Sequence, residues 1–255
     1  MPFNNLKSQF ANKKYIITGA SSGIGYDVMN ALLDEGAIVV GIGRDRTKIA
    51  DLLVKYPPEK LSFISFELKD IENIETKFED EIIPFSKFDG LILCAGVEET
   101  LPLGLYKVDR IIDLFKINVF SSVEILRIFS RKKVSNDGAS VVFISSVMGE
   151  LGQAGKVGYC GSKSAILGIV KASALELLKR NIRVNAISPA IVKTAMSDKL
   201  LSVLSRENIE EIEKMHPKGF GETSDVVPMI MFLLSDWSKW ITGQNIKIDG
   251  GYSIR

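Results

Sequence analysis

Two side chains four residues apart frame the chemistry open to this chain. Tyr159 and Lys163 close the stretch SSVMGELGQAGKVGYCGSK, which runs from Ser145 to Lys163. If the residues around Tyr159 are helical, both side chains leave one face and the ammonium stands beside the phenol. An unperturbed tyrosine has a pKa of roughly 10 and exchanges protons poorly near neutrality, whereas a neighbouring cation favours the phenolate and lowers the value. A phenol tuned in this way gives a proton to a carbonyl oxygen or takes one from an alcohol. Ser146 ends the apolar run Val141 to Ile144, thirteen residues before Tyr159, and a strand stopping there presents its hydroxyl to the same oxygen. Tyr-x-x-x-Lys alone is also an ordinary amphipathic helix face, so the rest of the chain decides.

The chemistry needs a partner, and the first part of the chain supplies a place for one. Lys14 to Thr18 is a short strand running into Gly19-Ala20-Ser21-Ser22-Gly23-Ile24-Gly25, and from Ile24 to Leu33 apolar residues recur at helical spacing. Glycines in such a strand-to-helix turn permit positive φ, let a ligand approach the backbone, and bring helix against strand. The helix N-terminus offers free N–H groups and a partial positive charge to a pyrophosphate. A second strand, Ile38 to Ile42, ends in Gly43-Arg44. In dinucleotide folds an acid near this point grips the ribose 2′-hydroxyl, and an arginine accommodates a 2′-phosphate. Gly43 stands where the acid is expected and Arg44 follows, which points to NADP over NAD. Asp45 and Arg46 lie close enough to blur that reading, and a solvated loop charge is the alternative for Arg44.

The elements that must position these groups alternate along the chain. Thr47 to Val54 reads as helix, Leu61 to Phe66 as strand, and Asp70 to Ile83 as an amphipathic helix stopping before Pro84. Leu91 to Ala95 is a fully apolar strand closed by Gly96, Asp109 to Lys132 a long helix containing Asn118, and Val141 to Ser145 the strand before the Tyr159 stretch. Helix Val157 to Lys179, strand Ile182 to Ile187, helix Thr223 to Leu234 and strand Asn245 to Ile248 complete the pattern. The fold class expected is α/β: a single doubly wound Rossmann-type domain over 1–255, with a parallel sheet of about seven strands and helices on both faces.

Composition removes other function classes. The chain has 255 residues, 46% of them hydrophobic, and a formal charge of +1 from 32 basic and 31 acidic side chains. That balance gathers neither nucleic acid nor an anionic membrane. Two cysteines, Cys94 and Cys160, form no disulfide framework and have no metal-ligand spacing, which fits a reducing cytoplasm, and no metal is expected. The first residues, MPFNNLKSQF, contain no apolar leader core, and no segment approaches bilayer length.

Taken together, Thr18-Gly19-x-x-x-Gly23-Ile24-Gly25, Cys94-Ala95-Gly96, Asn118, Ile144-Ser145-Ser146, Tyr159-x-x-x-Lys163, Asn185-Ala186-Ile187-Ser188-Pro189 and Ile241-Thr242-Gly243-Gln244 with Asp249-Gly250-Gly251 resemble the short-chain dehydrogenase/reductase family, in its compact one-domain form, from about Lys13 onward. The resemblance implies that Tyr159 is the general acid in reduction and the base in oxidation, that Lys163 lowers its pKa and bonds the nicotinamide ribose, that Ser146 holds the substrate oxygen, and that Asn118 positions a relay water. It implies a nucleotide held by Gly19, Ser21, Ser22, Gly23, Ile24, Gly25, Arg44, Glu67, Leu68, Ala95, Gly96, Tyr159, Lys163, Pro189, Ile191 and Thr194, the last two beside the carboxamide. It also implies assembly into homotetramers or dimers through the long helices and the C-terminal segment.

Three positions depart from the family pattern: Leu93-Cys94 where two asparagines are usual, Pro189-Ala190 for Pro-Gly, and Glu67 for an aspartate near the adenine. Specificity is expected in a lid at about 193–220, whose residues Met196, Leu200, Leu201, Val203, Leu204, Ile209, Ile212 and Met215 suggest two short amphipathic helices. Tyr106, Glu150, Leu151 and Gln153 are further candidates to line the pocket; His216 reads as a loop residue, and Trp237 and Trp240 as packing residues. The leading function is NADPH-dependent carbonyl reduction of a small molecule, within a resemblance nearest to bacterial 3-oxoacyl-thioester reductases. A sugar, polyol or steroid-like alcohol substrate stays open, as does a dinucleotide-binding protein without turnover.

Overall fold

Short apolar runs bounded by glycine and polar turns become strands, and the amphipathic runs between them become helices. The computed structural model describes residues 9–254, so the N-terminal stretch up to Ser8 lies outside the described residues, and with it most of the segment read above as lacking a leader core. Strands β1 (Lys14–Thr18), β2 (Ile38–Gly43), β3 (Leu61–Ser65), β4 (Phe88–Leu93), β5 (Ser135–Ile144), β6 (Arg183–Pro189) and β7 (Asn245–Ile248) form one seven-stranded sheet in the order β3-β2-β1-β4-β5-β6-β7. Every pairing is parallel. The chain therefore winds outward from β1 in one direction and, from β4, in the other. The order reverses between β1 and β4, the crevice where ligands sit in such sheets.

Strand alternation divides the core into two faces. Ile16 packs with Ile125, Phe129, Ile166 and Val170 on one side, and Tyr15 and Ile17 with Val28, Leu32, Ile230 and Leu233 on the other. The first face is covered by α3 (Ile74–Glu81), α4 (Val108–Phe115), α5 (Ser121–Phe129) and α6 (Val157–Leu177). The second is covered by α1 (Gly23–Asp34), α2 (Ala50–Lys55) and α9 (Thr223–Leu234). The doubly wound α/β architecture read from the sequence is the one observed.

Boundaries differ where turns intervene. The expected helix Thr47 to Val54 is a 3₁₀ turn, Arg46–Ile49, followed by α2, and Asp45 caps that turn by accepting from the Thr47 N–H. The expected helix Asp70 to Ile83 shortens to α3 between 3₁₀ turns, and Pro84 lies in the second of them rather than after the end. Strand β4 starts three residues before Leu91, and β5 starts at Ser135. The long helix is not continuous: a π-helical turn, Lys116–Phe120, separates α4 from α5, and α5 stops at Phe129. Helix α6 ends in a 3₁₀ turn closed by Asn181 at φ 54°, the left-handed cap asparagine tolerates. Trp240 is 97% exposed and is not a packing residue; Trp237 is half-buried.

Candidate active site

The carboxyl ends of β1, β4, β5 and β6 open into a cleft of about 490 Å³. Its floor is the glycine turn. Gly19 and Gly23 take φ of 67° and 55°, and a Cβ on Gly25 would lie 2.4 Å from the Gly19 carbonyl oxygen, so helix and strand meet only because no side chain intervenes. Ser22 caps α1 without a side-chain bond to its first N–H groups, which leaves those donors for an anion. Gly25→Ala is expected to destabilise the fold by roughly 1–3 kcal/mol, as forced overpacking does, and to weaken nucleotide binding. Denaturant unfolding and fluorescence titration check both; an unchanged pair of values would contradict the close approach.

At the end of β2, a Cβ on Gly43 would meet the Phe63 ring at 2.8 Å and the Ser21 hydroxyl at 2.9 Å, so an acid there is sterically excluded. Asp45 is occupied in its own turn. Arg44 projects into the cleft mouth, 72% exposed, with Nη1 3.8 Å from Glu67 Oε2. Leu68 lines the same wall and is buried.

At the opposite end stand the residues expected to carry the proton chemistry. Asn118 sits in the π turn, an insertion that recurs at functional sites because it re-aims side chains. Its amide is fully buried: the Val97 N–H donates to Oδ1 at 2.8 Å, and Nδ2 donates to the Val97 carbonyl at 2.9 Å and to Ser162 Oγ at 3.0 Å. Both amide hydrogens are spent, so this side chain clamps the loop after Gly96. Ser145 gives its hydroxyl to the Lys163 carbonyl at 3.0 Å, whereas Ser146 Oγ accepts from the Met148 N–H at 3.2 Å beside Tyr159. Lys163 Nζ donates to the Ile144 carbonyl at 2.8 Å and lies 5.7 Å from the Tyr159 ring centroid.

The expected lowering of the Tyr159 pKa is not what this arrangement produces. Burial pushes the phenol up to about 12, with Glu98 adding in the same sense and the Ser146 hydroxyl opposing. Burial also brings the Lys163 ammonium down to about 8. Desolvation penalises the charged form of each group, and the Lys163 ammonium donates to the Ile144 carbonyl.

The segment beyond Thr194 folds into α7 (Ala195–Leu201) and α8 (Arg206–Lys214), the two short helices anticipated. Thr194 caps α7 in a capping box with Ser197, and its methyl group lies where a Cβ on Gly23 would come within 3.0 Å. Met196, Leu200, Leu204, Ile212 and Met215 line the cleft, but Leu201, Val203 and Ile209 do not. Of the other pocket candidates only Gln153 faces it. Tyr106 instead packs against Gly158, and Glu150 pairs with Lys247 at 2.6 Å. His216 follows α8 as a loop residue, yet it is buried in the cleft wall, with Nδ1 2.7 Å from the Ile212 carbonyl oxygen. Sequence reasoning missed Glu98 and Lys156; the position of Lys156 three residues before Tyr159 was the available signal.

Comparison with known proteins places this geometry. Residues 19–253 match the family model described as enoyl-(acyl carrier protein) reductase, of the short-chain alcohol dehydrogenase type. The chain is 32% identical over 246 residues to the 3-oxoacyl-[acyl-carrier-protein] reductase FabG of Thermotoga maritima, covering 95% of this chain and 98% of that one. It is 30% identical to the NAD-dependent glycerol dehydrogenase of Listeria innocua, with both chains covered in full. The solved structure of 4-hydroxyisoleucine dehydrogenase complexed with NADH superposes with a TM-score of 0.87 at 27% identity, covering 96% of this chain and 100% of that one. The chain belongs to the short-chain dehydrogenase/reductase family. It is an oxidoreductase acting between CH–OH and C=O with a nicotinamide dinucleotide.

This short-chain dehydrogenase/reductase absorbs its departures from the family pattern. Cys94 packs where a Cβ on Gly25 would come within 3.3 Å of its own Cβ, and burial pushes its thiol up to about 12, so it serves as a neutral filler. Among the described residues other than glycine, positive φ occurs at Asn12 and Asn181, so Ala190 is unstrained. The cleft fits a dinucleotide in the one way backbone geometry can test. Its glycines keep the floor free of side chains, and Gly96 lies in the same lining, where an added Cβ would come into ordinary contact with Asn118 Oδ1 and Lys163 Nζ at 3.4 and 3.5 Å. No group of three or more His, Cys, Asp or Glu suited to a metal occurs among the described residues. Nor is any helix there long and apolar enough to cross a membrane.

Proposed function

We propose that the protein is an NADPH-dependent carbonyl reductase that converts a small ketone or aldehyde into an alcohol. The observation that carries the reading is the buried phenol of Tyr159, which lines the cleft with Ser146 and Lys163, 5.7 Å from the Lys163 ammonium by its ring centroid; burial pushes it up to about 12, and like an ordinary phenol it is protonated at neutral pH. A protonated phenol is ready to donate to a carbonyl oxygen as it becomes an alkoxide; oxidation would first have to ionise it. When bound, NADPH supplies the hydride. Ser146 holds the carbonyl oxygen, Tyr159 delivers the proton, Lys163 holds the nicotinamide ribose, and Asn118 fixes the loop beneath them. The glycine turn with Ser21, Ser22 and Ile24 carries the pyrophosphate, Glu67 and Leu68 flank the adenine, and Ala95, Gly96, Pro189, Ile191 and Thr194 border the nicotinamide half. Residues 1–255 act as one domain, with 193–220 as a lid excluding water. A panel of carbonyl compounds with NADPH, followed by absorbance of the reduced nicotinamide, tests this reading; nucleotide binding without turnover of any member would overturn it.

The preference for NADP rests on Arg44 and on the space denied to an acid at Gly43. Arg44→Asp is expected to lower the ratio of kcat/KM for NADPH over NADH by about ten- to a hundredfold, the worth of a charge-assisted bond. An unchanged ratio would remove Arg44 from the account. A second reading, NAD, is favoured by the Glu67 carboxylate 3.8 Å from Arg44, which offsets its charge. The NAD-dependent glycerol dehydrogenase relative points the same way. Exposed apolar residues on α4, the π turn and α5, among them Val108, Ile112, Phe120 and Val123, with Val157 and Leu175 on α6, support a homotetramer or dimer. Two unpaired cysteines fit the cytoplasm.

A further inference from the structure

The cleft holds a charge pair that hydride and proton transfer do not use. Lys156 Nζ meets Glu98 Oε1 at 2.9 Å, both residues line the cleft, and their side chains are 8% and 11% exposed. Two buried charges rarely repay their desolvation, and apolar residues of similar size hold a core as well. Stability therefore does not account for the pair.

Position does. Lys156 caps the helix that carries Tyr159, and its ammonium lies 5.7 Å from the Tyr159 ring centroid. Glu98 follows two residues after Gly96, on the loop that Asn118 clamps. Glu98 Oε1 accepts from Lys156 and from Thr100 Oγ1, the latter at 2.7 Å, while among the described residues none donates to Oε2, which keeps acceptor capacity. The ammonium has three protons and Glu98 as its ion-pair partner. The wall beside the phenol thus offers a donor and an acceptor next to each other with no net charge, and Gln153 lies in the same lining.

A hydroxyl is both donor and acceptor and matches such a wall. A carboxylate would be repelled by Glu98, and an alkyl chain would strip water from both charges and return no bond. We propose that Lys156 and Glu98 bind a hydroxyl on the carbon beside the reacting carbonyl, so that the substrates are hydroxy-ketones or hydroxy-aldehydes of the small-sugar type. This inference rests on the carbonyl reductase reading and narrows it.

Hydroxyacetone and acetone differ by that one hydroxyl, and NADPH oxidation reports turnover of each. The wild-type kcat/KM is expected to favour hydroxyacetone by at least about tenfold, as a hydrogen bond to a charged group does. In the double variant Lys156→Met with Glu98→Leu, which keeps the site neutral and removes both donor and acceptor, the ratio falls to within about threefold of one. Lys156→Arg keeps the charge but displaces the donor and lowers the ratio as well, which serves if the double variant does not fold. A wild-type ratio near one, or a preference unchanged in the variants, overturns the hydroxyl site. A merely structural pair would slow both substrates alike and leave the ratio intact. If neither ketone nor any other carbonyl is reduced while NADPH binds, the reductase reading itself fails, and this inference with it.

Discussion

Tyr159→Phe is expected to lower kcat for carbonyl reduction by roughly a hundred- to ten-thousandfold, the usual contribution of a positioned general acid, while NADPH still binds. The phenyl ring still packs beside the Lys156 and Lys163 ammonium groups, each 5.7 Å from the Tyr159 ring centroid, so what is lost is the hydroxyl and its proton. Steady-state rates against nucleotide fluorescence titration separate the two effects. Rates equal to those of the unaltered protein would remove Tyr159 from the chemistry.

The second large effect is on pH dependence. Lys163, brought down to about 8 by burial, is charged below that pH and neutral above it. In the mechanism proposed above, its charged form holds the ribose and favours the negative charge left on the phenol oxygen after proton transfer. The kcat/KM for reduction should therefore be level below about pH 8 and fall about tenfold per pH unit above it, since this parameter follows the free protein. Tyr159, pushed up to about 12, stays protonated across the same window and adds no limb. Alcohol oxidation needs the phenolate and should instead rise with pH. Lys163→Met is expected to abolish the alkaline limb and reduce kcat/KM by about a hundredfold or more. A reduction rate that rose through pH 8, or a limb that survived in Lys163→Met, would contradict the assignment.

Much of this site is legible in the chain because its parts are local. The Gly19 to Gly25 turn, the four-residue step from Tyr159 to Lys163, and the apolar run before Ser146 each define their geometry within one or two elements. The sheet followed from alternation, and β1, β7 and α9 have the limits their apolar runs suggest. What was hidden depends on contacts between distant segments. The sign of the Tyr159 shift is set by how much protein surrounds the phenol, which Tyr-x-x-x-Lys spacing does not contain. The π turn at Asn118 is one extra residue in a helical ladder, without a signature in apolar periodicity. Glu98 and Lys156 meet only because two loops converge over the β4 and β5 ends, so each alone reads as a solvated charge.

A crystal structure with NADPH and a ketone or its alcohol product measures the central claim most directly. The account predicts the nicotinamide ring between Gly96 and Ile191, with the substrate oxygen within about 3 Å of both the Tyr159 phenol and the Ser146 hydroxyl. Its reacting carbon should lie about 3–3.5 Å from the ring carbon that releases hydride. A nicotinamide bound away from Tyr159, or a substrate oxygen held by other groups while the phenol faces elsewhere, would contradict it.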